Sequence, residues 1–222
     1  MTDPVELMPT ELLKDGWAAQ DQVYEPGAWV QRYWDSTDGS HRDAIIRSLE
    51  SVGPVASVLE IGCNAGPNLR RIHARWPAME LYGMDIHPGA IRYGRERARD
   101  EGWSWTGYCG DLRDLHLLGP DVADVVLSCY AMAYLDPRDI DAVLAAALAG
   151  ARRALILCEP GDGGEEAYVP PGPKNVAEYH FDYRTRLQAI PGWVSVTRSA
   201  ITPPHVRLQH VFTVLKSPTY SF

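Results

Sequence analysis

The sequence predicts an α/β fold: a doubly wound, mostly parallel sheet of seven strands, closed by a C-terminal antiparallel hairpin and preceded by a helical extension. Three observations carry that expectation. From Val55 onward short apolar runs alternate with helical stretches, the pattern of a parallel sheet with crossover helices on both faces. A proline stands at or near the start of each crossover helix, as Pro67, Pro88 and Pro137, where its fixed φ and missing N–H are tolerated. The third is the run from Val58 to Leu69, in which an apolar strand breaks on glycine and leads into a helix.

Taken in order, residues 1–54 read as a helical extension that covers the main domain, residues 55–222. Pro9 opens one short helix, Pro26 opens another, and His41 to Leu49 places apolar residues at helical spacing before the Gly53-Pro54 stop. Strands are expected near Ser57–Ile61, Glu80–Asp85, Ser104–Tyr108, Asp124–Ser128 and Arg153–Cys158. Helices fit between them at Pro67–Trp76, Pro88–Glu101 and Pro137–Ala149, with a short helix at most between Gly110 and Ala123. A loop rich in glycine and proline follows Glu159, then a helix over about Asn175–Ala189. Two last strands, Trp193–Ile201 and Val206–Leu215, form the hairpin around Thr202-Pro203-Pro204-His205.

Composition narrows the class. The chain has 222 residues, 45% of them hydrophobic and 23% charged, enough for one well-buried domain. The N-terminal residues lack the basic and apolar regions of a secretory signal, so a soluble cytoplasmic protein, monomer or homodimer, with no membrane contact is expected. A net charge of −8 argues against a nucleic-acid partner. Arginines do cluster at positions 70, 71 and 75 and at 92, 95, 97 and 99, at spacings that suit solvated helix faces. Cys63, Cys109, Cys129 and Cys158 form no C-x-x-C pair and have no histidine at zinc-like spacing, so no metal is expected.

Ligands of such sheets bind outside the carboxyl ends of the strands, where strand order reverses. The glycine turn after Ile61 lets backbone approach a ligand, and the helix after it points free N–H groups there. Glu60, just before Gly62, suits the cationic end of a ligand better than a pyrophosphate. Asp85 ends the second strand, Asp111 follows the third, and Ser128, Cys129 and Tyr130 end the fourth.

Together these segments resemble the class I S-adenosylmethionine-dependent methyltransferases, over roughly Val55 to Lys216. Glu60-Ile61-Gly62-Cys63-Asn64-Ala65-Gly66 is similar to the family's first motif, with Asn64 where many members carry glycine; asparagine tolerates left-handed backbone better than other side chains. The resemblance implies a Rossmann-like fold and S-adenosylmethionine as cofactor, released as S-adenosylhomocysteine. It implies cofactor contacts from Tyr33, Glu60, Gly62, Cys63, Asn64, Gly66 and Asn68, with Asp85 and Ile86 at the ribose. Gly110, Asp111 and Leu112 would meet the adenine, and Ser128 and Cys129 the methionine part. A closing N-terminal Tyr-Trp segment is also implied, here Tyr33 and Trp34.

Acceptor-side residues are less determined. Tyr130 either lines the transfer site or plugs the strand end, and Glu159 either faces substrate or caps a helix. His180, held by Asp182, is a candidate base, the alternative being an ordinary helix-start histidine. Tyr24, Trp29, Tyr33 and Trp34 offer aromatic faces to a cation or a flat acceptor. The preferred function is methyl transfer to a hydroxyl or amine of a small metabolite. The alternatives are an RNA or protein acceptor, or a non-catalytic cofactor-binding subunit.

Overall fold

A computed structural model describes residues 5–6, 28–36, 39–160, 166–169, 178–190, 192–201 and 209–216. The parallel core is β2 (Ser57–Ile61), β3 (Glu80–Asp85), β4 (Thr106–Cys109), β5 (Ala123–Cys129) and β6 (Ala151–Pro160). The sheet order is β1-β4-β3-β2-β5-β6-β10-β9, where β1 is Val5–Glu6, β9 Trp193–Ile201 and β10 Gln209–Lys216. β10 runs antiparallel to both β6 and β9, which is the expected hairpin. Strand order reverses between β2 and β5, so the crevice lies above those two strand ends.

Both faces of the sheet are covered. Helices α1 (Ala28–Asp35), α2 (Ser40–Val52), α3 (Pro67–Arg75) and α4 (Pro88–Asp100) supply one layer. Ile45, Leu49, Leu69, Ile72 and Ile91 pack there on Val58, Val125, Leu127 and Ile156. On the other face Leu144, Leu148 and Leu187, from α5 (Ile140–Gly150) and α6 (Tyr183–Gln188), meet Leu59, Val126, Leu155 and Leu157. In β2, β5 and β6 successive residues alternate between these two cores, so those strands are apolar nearly throughout rather than at every second residue.

The structure departs from the sequence expectations in four places. The main sheet has eight strands, because Val5 and Glu6 pair in parallel with Tyr108 and Cys109; two residues are too short to leave a periodic signal. The segment expected to be a helix from Asn175 begins instead, in its described part, with β8 (Glu178–His180), antiparallel to β7 (Ala167–Val169). Its aromatic run suits a strand, and Asp182 restarts the chain as α6 by accepting the N–H of Thr185. The third crossover helix starts at Ile140, after a one-turn helix at Met132–Tyr134, so Pro137 precedes it rather than opening it. The fourth departure is slight: β4 begins at Thr106, two residues later than expected. The link after β4 holds a 3₁₀ helix, Leu112–Leu118, capped by Asp111. The expected Pro9 helix and the Thr202–His205 connection lie outside the described residues.

Candidate active site

The strand ends β4, β3, β2 and β5 are neighbours in the sheet, about 4.8 Å apart. They carry Asp111, Asp85, Glu60 and Tyr130 in that spatial order. All four line one cavity of about 630 Å³, within the range of small-molecule sites.

The turn after β2 brings backbone to the cavity wall. The N–H groups of Gly62 and Cys63 both donate to the Met84 carbonyl, at 2.7 and 3.0 Å, which ties the turn to β3. Gly62 (φ 69°) and Asn64 (φ 51°) are left-handed. Asn64 holds that conformation by accepting the Ala65 N–H on its own side-chain oxygen at 2.7 Å. Its backbone N–H donates to Asp85 Oδ2 at 2.7 Å, and the N–H of His87 to Oδ1 at 2.8 Å. Each carboxylate oxygen accepts two hydrogen bonds, so Asp85 keeps one site per oxygen for a pair of hydroxyls. Burial raises its pKa against the pull of these N–H groups.

Glu60 is fully buried. Its Oε1 accepts from Asn68 Nδ2 at 2.6 Å, while Oε2 and the Asn68 oxygen are buried with no hydrogen bond. Burial pushes its pKa up to about 8, partly offset by Asn68 and by the charge of Arg42. Two orphaned acceptors side by side at a helix start are a place for a ligand that brings N–H donors and positive charge, such as an ammonium group. Asp111 is differently placed. Burial raises its pKa, but Arg113 outweighs that and lowers it overall, through hydrogen bonds of 2.9 Å to Oδ1 and 2.6 Å to Oδ2.

Of the residues expected at the cofactor, Tyr33, Glu60, Gly62, Cys63, Asn64, Asn68, Asp85, Ile86, Gly110, Asp111, Leu112 and Cys129 line the cavity. Gly66 lies behind it, as the left-handed N-cap of α3. Ser128 lies beneath, donating its hydroxyl to Glu159 Oε1 at 2.6 Å. Glu159 does not reach the cavity either. It is buried, accepts the N–H groups of Ala131 and Met132, and is raised by burial to about 7; it supports the strand-end turn rather than facing an acceptor.

Two further expectations are corrected. Trp34 is 1% exposed and stacks on Trp103 with Arg70 over its ring, because its face of α1 turns into the core. His180, on β8, does not itself line the cavity; its Nε2 stands 3.9 Å from Oε2 of Glu178, which does. Asp182 is committed to capping α6 and not to holding His180. His87 caps α4 by accepting from Ala90 N and meets Trp29 edge-on at 5.1 Å. Tyr24 lies outside the described residues. Sequence reasoning missed Arg32, His41 and Arg42 on α1 and α2, and Tyr134 and Glu178 beside Tyr130. Tyr134 stands four residues after Tyr130, a faint signal; Glu178 has none, since only the β7–β8 pairing brings it there.

The arginine clusters face outward and are largely paired. Arg70 binds Glu101, Arg71 binds Asp43, Arg75 binds Glu50 and Arg97 binds Asp100. Among the described residues no helix is long and apolar enough to cross a membrane.

Residues 58–153, which hold all four strand-end residues of the cavity, match the family described as a methyltransferase domain. That match, over less than half of the chain, supports a class I S-adenosylmethionine-dependent methyltransferase. Over 77 residues it is 32% identical to the malonyl-[acyl-carrier protein] O-methyltransferase of Anoxybacillus flavithermus, an alignment spanning 35% of this chain and 28% of that protein. The same enzyme of Alcanivorax borkumensis is 25% identical over 114 residues, 51% of this chain and 38% of that protein. The matched stretch is thus well under half of these curated relatives. Among solved structures, a 1,6-didemethyltoxoflavin-N1-methyltransferase from Burkholderia thailandensis superposes with a TM-score of 0.68 at 15% identity, covering 91% of this chain and 92% of that one. The magnesium protoporphyrin IX methyltransferase of Synechocystis PCC 6803 gives 0.66 at 18% identity, covering 95% and 98%. At these identities the superpositions establish a shared methyltransferase fold.

Proposed function

We propose that the protein transfers a methyl group from S-adenosylmethionine to a hydroxyl or amine of a small molecule. The observation that carries this reading is the row of carboxylates Asp111, Asp85 and Glu60 on three adjacent strand ends of one cavity. Asp111 and Leu112 suit an adenine edge and face, Asp85 a ribose, and the orphaned Glu60 and Asn68 oxygens an amino-acid ammonium. The malonyl-[acyl-carrier protein] O-methyltransferases named above support methyl transfer itself, and the didemethyltoxoflavin N1-methyltransferase shows a small-molecule nitrogen acceptor on the same fold.

When bound, this cofactor supplies a methyl group already activated on a sulfonium. The chain's own residues then have to bind, orient and keep water out. Gly62 and the segment Cys129–Ala131, which pack on each other, would border the methionine end. Trp29, Arg32 and Tyr33 of α1 and His41 and Arg42 of α2 line the same cavity, which supports reading residues 1–54 as a cover. Pairing of the surface arginines favours a small acceptor over RNA.

Calorimetry tests the reading directly. S-Adenosylmethionine and S-adenosylhomocysteine are both expected to bind the intact protein, and Asp85→Ala to weaken them about tenfold or more, the scale of losing hydrogen bonds to a charged group. Absence of binding by the intact protein would overturn the proposal. Incubation with cell extract, followed by mass detection of a product heavier by one methylene, then identifies the acceptor.

A further inference from the structure

We infer that Glu178, aimed by Tyr130, is the acceptor-binding carboxylate of this cavity, and that the acceptor is a small molecule presenting an amine beside a ring. The inference rests on the methyl-transfer reading above and narrows its acceptor. Along the strand ends the cavity runs from Asp111 through Asp85 and Glu60 to Tyr130. The first three stations are accounted for by one cofactor, so the fourth is left for what receives the methyl.

At that end the chain has built something specific. Tyr130 holds φ 57°, a conformation that bulky side chains rarely adopt and that persists only where surroundings enforce it. Its N–H donates to the Cys158 carbonyl at 3.0 Å, and the next residue, Ala131, packs against Gly62. So held, the Tyr130 hydroxyl donates to Glu178 Oε2 at 3.1 Å. Glu178 lines the cavity from β8, an element outside residues 58–153. The Tyr130 and Tyr134 rings lie 5.9 Å apart, and Tyr33 lines the same cavity. Burial raises the pKa of Tyr134, so its phenol stays neutral.

A carboxylate beside the Tyr130 and Tyr134 rings favours a cation, by charge pairing and by attraction to the ring faces. Of the basic side chains here, His180 Nε2 stands 3.9 Å from Glu178 Oε2, and the charge of Arg42 acts on Glu60. In the reaction the ammonium proton passes to the Glu178 carboxylate. The freed nitrogen lone pair forms the new C–N bond as the methyl–sulfur bond breaks, and sulfur keeps that electron pair. Tyr130 is a positioning residue in this scheme and Glu178 the catalytic one.

The test uses the intact protein saturated with S-adenosylhomocysteine and three probes of one shape: benzylamine, benzyl alcohol and benzoate, titrated by ligand-observed NMR at pH 7. Benzylamine is expected to bind best and benzoate least. Glu178→Gln should weaken benzylamine about tenfold while S-adenosylhomocysteine affinity stays within about twofold, which also reports a folded site. Tyr130→Phe should reduce the preference for benzylamine over benzyl alcohol about threefold, the scale of one hydrogen bond. Failure of benzylamine to bind, equal binding of the alcohol or benzoate, or full amine affinity in Glu178→Gln overturns this inference alone. Failure of S-adenosylhomocysteine to bind the intact protein overturns the methyl-transfer reading, and this one with it.

Discussion

A methyl group added at Gly62 would stand 2.2 Å from the Cβ of Ala131, on a residue whose φ is 69°. Gly62→Ala therefore combines overpacking with a left-handed backbone. It is expected to cost about 2 kcal/mol or more of stability and to weaken cofactor binding, checked by urea denaturation and calorimetry. At Asn64, by contrast, the side chain supplies the hydrogen bond that the left-handed turn needs, so the departure from glycine is tolerated. Both roles were legible from residue type, since a break after an acidic strand end calls for residues that tolerate positive φ. For Glu159 the sequence left two readings, a substrate contact or a helix cap, and the structure decides for the second: Ser128, Ala131 and Met132 all donate to it.

At the scale of elements, helix α4 shows how tightly the turn is gripped. A Cβ at Gly94 would lie 1.9 Å from the Ala65 carbonyl oxygen, so α4 packs directly on the glycine turn through backbone. Gly94→Ala would push the helix away from the turn. About 1–3 kcal/mol of destabilisation is expected, with the S-adenosylhomocysteine affinity falling as well; thermal melts with and without ligand measure both. The crossover helices announced themselves through Pro67 and Pro88, both at N1. β8 did not, because a three-residue strand takes its identity from its partner across the β7–β8 pair rather than from its own sequence. The same holds for β1, whose two residues are a strand only beside β4.

Across the whole molecule, two buried carboxyls tie stability to pH. Glu60 is raised from 4.5 to about 8 and Glu159 from 4.5 to about 7, both chiefly by burial. Between the unfolded value and these folded values the native protein holds protons that the unfolded chain has lost. Stability is then greatest below about pH 4.5 for these two groups and declines as pH rises through 7 and 8. The ligand-free protein is expected to melt at a lower temperature at pH 8.5 than at pH 5.5. Glu60→Gln and Glu159→Gln should each flatten that slope in differential scanning fluorimetry; an unchanged slope in both would show that burial does not hold the protons. A bound ammonium group near Glu60 would favour its ionised form, so S-adenosylmethionine should release protons on binding near neutral pH, seen as buffer-dependent binding heats.

Taken by itself, the sequence determined the alternating sheet, its glycine turn and the three acids that follow strand ends, because each rests on local periodicity or on what one residue's backbone permits. Tertiary structure decided which side chains face the cavity. Trp34 turns into the core while its neighbour Tyr33 lines the wall, Glu159 sits under the floor, and Glu178 arrives from a distant strand to meet Tyr130. The difference is physical: a strand or turn is specified by neighbours along the chain, whereas a pocket wall is specified by neighbours across it.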